Sequence, residues 1–211
     1  DAFLPIEVFR LSVNQLADEM IKDIEVGIKG TNVKAGVIGE IATTKGKWTE
    51  GESKVFDASV IASKETGCPI STHTSLGTLG HEQVHYFERQ HANLNKIVIG
   101  HVDLSASSEY VIDMLKSGIN VEFDTIGKNN YLADSIRVQM LKDIEDAGYT
   151  DQVVMSMDIT RKSHLKENGG NGYSYLLDNF IPQLKEAGVS ENFINKMMND
   201  NPQRIYGDFN A

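Results

Sequence analysis

The stretch Val98-Ile99-Gly100-His101-Val102-Asp103 decides the fold. Its apolar, β-branched run favours extended backbone, and a strand apolar on successive positions needs cover on both faces, as the strands of a parallel sheet have. It ends in an imidazole. Working outward, four further runs of this kind bring the strands to 34–42, 69–74, 96–103, 120–125 and 152–159. Between them lie helix-like stretches over 11–29, 51–65, 79–91, 107–116 and 131–147, and two more, over 173–187 and 191–199, close the chain. Strands that alternate with helices predict a parallel sheet joined by crossover helices. Gly30, Gly67, Gly118, Gly148 and Gly188 punctuate the helical stretches where left-handed caps are expected. No linker, low-complexity tract or composition shift divides the sequence, so 1–211 reads as one α/β domain.

Composition narrows the function classes. The chain has 211 residues, 40% of them apolar, which is enough for a packed core and excludes a disordered tail. No stretch approaches the roughly 18 uninterrupted apolar residues of a membrane span. With 20 Lys and Arg against 30 Asp and Glu, the net charge of −10 repels phosphate backbones and argues against nucleic acid as a partner. The single cysteine, Cys68, cannot form an internal disulfide, and the opening residues lack the pattern of a signal peptide. A cytoplasmic, membrane-free protein acting on a small molecule is the expectation, with an isologous homodimer as the base-rate assembly. Cys68 reads as a small buried residue rather than a nucleophile.

The strand ends carry the chemistry. Once the apolar runs are aligned, the polar residue at or near each carboxyl end is Glu40 in VIGEI, His73 in ISTHT, His101 in VIGHVD, Asp124 in VEFDT and Asp158 in VMSMD. In parallel α/β folds these ends share one face, and in a closed barrel they converge on one mouth. A lone strand-end histidine is more often hydrogen-bonded structure than a ligand. Five such ends in succession tip the balance, because two imidazoles with up to three carboxylates suit zinc or manganese. Asp124 is the one expected to orient a histidine rather than bind metal.

A rival motif lies close by. His81-Glu82-Gln83-Val84-His85 fits HExxH, the zinc-protease signature in which two histidines share one helical face and a glutamate activates water. The segment does look helical. It stands, however, where a crossover helix should turn its polar face to solvent, whereas HExxH needs a cleft, so the plain reading is a solvated face with Tyr86 and Phe87 partly buried.

At this point the strings KAGVIGEIATT (34–44), GCPISTHTS (67–75), VIGHVDL (98–104), FDTIGKNNY (123–131), MSMDITRKSHL (155–165) and NPQRIYG (201–207) carry a resemblance. In order and spacing they are similar to the strand-end motifs of the phosphotriesterase family of the amidohydrolase superfamily, and within it to the phosphotriesterase homology proteins. The resemblance implies a (β/α)8 TIM-barrel with two divalent metals, zinc first with manganese or cobalt as alternatives, bridged by a carboxylate and a hydroxide. It gives His73 and His101 to the second metal, Asp158 to the first metal and to proton handling, and Glu40 to the bridge, where phosphotriesterases proper carry a carboxylated lysine. One departure is large. Family members open with a histidine-x-histidine pair that binds the first metal, and none of the six histidines here forms such a pair. Five strands stand against the eight of a barrel. The expectation is therefore the later strands and helices of a longer barrel enzyme, with the first-metal site incomplete in this chain.

Substrate preference rests on two loops. Arg161, Lys162 and Lys166 are positive after the last strand, His164 stands among them, and the preceding loop offers Lys128 and Tyr131. Barrels often hold phosphate near their seventh and eighth loops, and arginine can clamp it with two parallel hydrogen bonds. Neutral aryl triesters gain nothing from such a cluster, so the expected activity is a lactonase acting on a phosphorylated sugar lactone. A phosphotriester hydrolase and a catalytically silent metal-binding barrel are the alternatives, and surface ion pairing, for instance with Glu167, is the bland account of the basic loop.

Overall fold

Capping chemistry starts the main helices. Ser12 and Thr49 each accept from a backbone N–H three residues on, while Gln15 and Glu52 reach back to the cap, and Ser107 and Ser190 cap singly. In the computed structural model, which describes residues 4–207, two helices come first, α1 (Ile6–Arg10) and α2 (Val13–Glu25). Strands and helices then alternate: β1 (Ile38–Thr43), α3 (Glu50–Thr66), β2 (Ile70–Thr74), α4 (Gly80–Arg89), β3 (Ile97–Gly100), α5 (Ser108–Leu115), β4 (Asn120–Phe123), α6 (Asp134–Asp146) and β5 (Val153–Met155). After a long loop, a π-helical turn (Leu176–Phe180) runs into α7 (Ile181–Glu186), and a second (Lys196–Asp200) joins α8 (Glu191–Asn195) to α9 (Asn201–Tyr206). The five punctuating glycines all take positive φ, between 74° and 88°. No described helix is long and apolar enough to cross a membrane.

The sheet is wholly parallel and its strands lie in sequence order, β1 to β5, an arc of a (β/α)8 barrel. The strands are shorter than their apolar runs predict. β3 stops at Gly100, where His101 adopts a left-handed φ of 57° and cannot continue the ladder; β4 stops at Phe123 and β5 at Met155, and Asp158 beyond β5 is left-handed too, at φ 43°. His101, Asp124 and Asp158 therefore stand beyond the ends of their strands, whereas Glu40 and His73 remain within β1 and β2. Residues 34–37 likewise precede the first ladder pair. Helix α9, beyond the last helix expected from the sequence, carries Pro202 in its first turn, where a missing N–H costs nothing.

Two layers hold the arc. Outside it, Phe56 of α3 and Phe87 of α4 are wholly buried and form a ring cluster with Tyr86 and Trp48, centroids 4.7–5.6 Å apart. Inside it, Val98 of β3 and Val154 of β5 pack on Ile205 of α9. Arg204 fastens α9 to the amino ends of the strands through Asn120 Oδ1 and the Asp151 carbonyl, both at 2.6 Å, and Lys96 donates to the carbonyls of Arg204 and Ile205. With that end stoppered, the carboxyl ends are left for a site.

Candidate metal centre

Glu40 is placed by a break in pairing. Between Ile38 and Ile41 the β1–β2 register slips by one residue, the mark of a bulge, which re-aims a side chain. Gly39 makes this feasible, since a Cβ there would lie 2.4 Å from the Ser71 carbonyl oxygen. Gly100 plays the same part before His101, for a Cβ at that position would meet the Thr72 oxygen at 2.3 Å. Val-Ile-Gly precedes both residues, a repeat that could have signalled close backbone approach from the sequence alone.

The left-handed turn at His101 is secured by Asp124. Its carboxylate accepts the His101 backbone N–H at 3.1 Å and lies 2.7 Å from ring Nδ1, while His101 Nε2 lies 3.0 Å from Glu40 Oε1. His73 Nδ1 lies 3.4 Å from the same Glu40 oxygen. Glu40, His73 and His101 thus each present a ligand atom within 4.8 Å of the others. One carboxylate oxygen and two imidazole nitrogens at that spacing fit the coordination sphere of a borderline divalent cation. No other metal-capable group of three occurs among the described residues. His81 instead stacks edge-on against Tyr110, while Glu82 and His85 are exposed. The HExxH helix therefore offers no centre.

Electrostatics follow from this packing. Burial opposes ionisation of Glu40, but hydrogen bonds from His101 and His73 outweigh it and hold the carboxyl down to about 2. Burial likewise favours neutral His101, yet its bonds to Asp124 and Glu40 push the imidazole up to about 11. Burial raises Asp124, and the hydrogen bond with His101 opposes that rise. A carboxylate-held histidine with Nε2 directed at a second acid is the arrangement expected of a ligand and its orienting partner.

Asp158, on its left-handed turn beyond β5, lies outside the three-residue group and pairs closely with Lys128 Nζ. It shares one hollow with His73, His101, Lys128, Thr125 and Tyr131. An adjoining cleft of about 330 Å³ has Lys128, Tyr131, Asp158, Arg161 and His164 in its walls. Lys162 does not line it: the helical turn Lys162–His164 turns Ser163 and His164 to the cleft and leaves Lys162 exposed. Lys166 pairs with Asp178 at 3.2 Å rather than with Glu167. Sequence reading missed Arg137 and Asp103, two wholly buried charges behind this loop.

Residues 1–206 match the model of the phosphotriesterase family. The phosphotriesterase homology protein of Escherichia coli is 47% identical over 98% of this chain and 70% of its own length. Its crystal structure, with phosphate in the active site, superposes with a TM-score of 0.95 over 98% of this chain and 71% of that one. A lactonase from Listeria monocytogenes superposes at TM-score 0.90 with 29% identity, over 94% of this chain and 62% of that one. The N-acetyltaurine hydrolase of Xenopus tropicalis is 31% identical over 92% of this chain and 59% of its own length. This chain thus spans between about three fifths and seven tenths of these relatives. Together with a parallel arc whose strand ends gather a carboxylate and two imidazoles, these matches mean that the chain belongs to the phosphotriesterase family, a family of metal-dependent hydrolases that act on esters.

Proposed function

We propose that this protein hydrolyses a small ester bearing an anionic group, with a phosphorylated sugar lactone ahead of a neutral lactone and both ahead of a phosphotriester. The observation that carries the reading is the Glu40–His73–His101 donor group beside a cleft walled by Lys128, Arg161 and His164. The family uses two metals, and Glu40, His73, His101 and Asp158 are the residues proposed to hold divalent ions, zinc first, which when bound polarise the ester carbonyl and make water acidic enough to attack at neutral pH.

The chain's own residues do the rest. Asp124 fixes the His101 ring so that Nε2 faces Glu40. Asp158 accepts the proton that attacking water loses as its oxygen bonds to the carbonyl carbon, and returns it to the departing alkoxide as the ring opens. Lys128 fixes the direction of that carboxylate and adds a point charge to the cleft. Arg161 grips the phosphate of the substrate, for which its planar fork is suited. Resemblance to N-acetyltaurine hydrolase favours a second reading, the same addition at an amide that carries a sulfonate.

The test uses two lactones that differ only by a phosphate, with an N-acyl amino sulfonate as a third substrate. Arg161→Ala should lower kcat/KM about tenfold to a hundredfold for the phosphorylated lactone alone, roughly 1.5–3 kcal/mol for a charged hydrogen bond. Equal losses on both lactones, or no preference in the wild type, reject the reading. Faster turnover of the amide selects the second one.

A further inference from the structure

Arg137 of α6 is wholly buried, and nothing in the chemistry above uses it. Its Nε donates to Asp103 Oδ2 at 2.6 Å, Nη2 to Thr125 Oγ1 at 2.6 Å, and Nη1 to the Leu132 carbonyl at 2.5 Å and to Asp134 Oδ1 at 2.9 Å. Thr125 closes the set by donating to Asp103 Oδ2. These partners are placed around the site. Asp103 lies in the turn just beyond His101, while Thr125 and Leu132 flank the segment that carries Lys128 and Tyr131.

Asp134 extends the network into a second loop. Its Oδ1 accepts from the Gly127 N–H at 3.1 Å and its Oδ2 from the Tyr175 hydroxyl at 2.9 Å, while Asn171 Nδ2 donates to the Gly127 carbonyl at 2.8 Å. The two loops meet at Gly127 with no room to spare, for a Cβ there would lie 2.8 Å from Asn171 Nδ2 and 3.0 Å from the Tyr175 ring. The cleft opens between these same loops, Lys128 and Tyr131 in one wall, Arg161 and His164 in the other.

Stability alone is a poor reason for such a device. A buried ion pair largely spends its Coulomb attraction on desolvation, and apolar residues of similar volume do as well or better. Asp103 Oδ1 is moreover buried without a partner, a further cost. What a guanidinium supplies and an apolar side chain does not is a rigid fork that fixes several acceptors in one geometry.

We propose that Arg137 is a positioning residue that sets the width of the substrate cleft, holding Asp134 and both ends of the Lys128–Tyr131 segment directly and the Arg161–His164 loop through Tyr175 and Asn171. The assignment of what enters the cleft rests on the function proposed above; the clamp itself rests on the hydrogen bonds.

The experiment compares Arg137→Lys and Tyr175→Phe with wild type in the whole, metal-loaded protein. Tyr175 does not line the cleft, so its variant decides alone if Arg137→Lys fails to fold. Amide hydrogen exchange should quicken in peptides covering both 126–133 and 160–172 and stay unchanged in α3. KM for the phosphorylated lactone should rise about tenfold in Arg137→Lys and about threefold in Tyr175→Phe, with kcat on the neutral lactone within about twofold of wild type. Unchanged exchange in either loop overturns the proposal, and so does an equal fall in kcat on both lactones, the mark of a purely structural role. A wild type that ignores the phosphate overturns the substrate reading instead, and the exchange result then decides the clamp.

Discussion

His101 and Asp158 hold left-handed backbone that L-residues adopt at a cost, and at His101 the compensation is visible. Asp124 binds both its N–H and its ring, so one carboxylate secures the turn and the direction of Nε2. Asp124→Asn keeps the shape but removes the charge that orients the ring. It should weaken metal binding about tenfold to a hundredfold, measured by competition with a chromophoric chelator. Unchanged affinity would show that Asp124 does not act through His101. Glu40, His73 and His101, which the structure brings together, and Asp124 beside them were legible in the sequence because acids and imidazoles stand out against apolar runs. Arg137 was not: on a helix that also carries Asp134, Lys142 and Asp143 it reads as part of a solvated face, and its bonds to Asp103 and Thr125, which belong to other segments, appear only in the fold.

Helix α4 shows why the HExxH pattern misleads. Gln83, Val84, Tyr86 and Phe87 form its buried face, leaving Glu82 and His85 to solvent. Gln83 accepts from Thr72 Oγ1 at 2.6 Å and donates to Thr43 Oγ1 and the His73 carbonyl, so the inner face of the helix braces the strand that ends in His73. Helical periodicity made the element readable, whereas its orientation depended on polar contacts across the sheet that no local pattern encodes. Phe87, wholly buried in the ring cluster, should cost about 3–5 kcal/mol when cut to Ala. Exposed His85→Ala should stay within about 0.5 kcal/mol. Urea midpoints at constant m-value measure both, and a His85 variant as damaging as Phe87→Ala would contradict this orientation of α4.

At the scale of the molecule, the metal ligands proposed above would make metal and protons compete for one set of side chains. Without metal, His101 is raised from 6.5 to about 11 by Asp124 and Glu40, against the pull of burial. Stability from this raised group is fully present below pH 6.5 and is lost as pH climbs toward about 11. Glu40, lowered from 4.5 to about 2, contributes above pH 4.5 and loses that contribution as pH falls toward about 2, so it adds no slope on the alkaline side. With His101 as the ligand proposed above, metal binding would reverse the demand on it, because Nε2 would have to be free of its proton to ligate and binding would release that proton. Affinity therefore rises with pH while metal-free stability falls. A ligand at about 100 times its Kd adds about 2.7 kcal/mol. The gap in Tm between metal-loaded and chelator-treated protein should accordingly widen from pH about 6 to about 7.5 to about 9, a series that calorimetry can read directly. A gap that stayed constant or narrowed across that range would mean that His101 does not exchange its proton for metal.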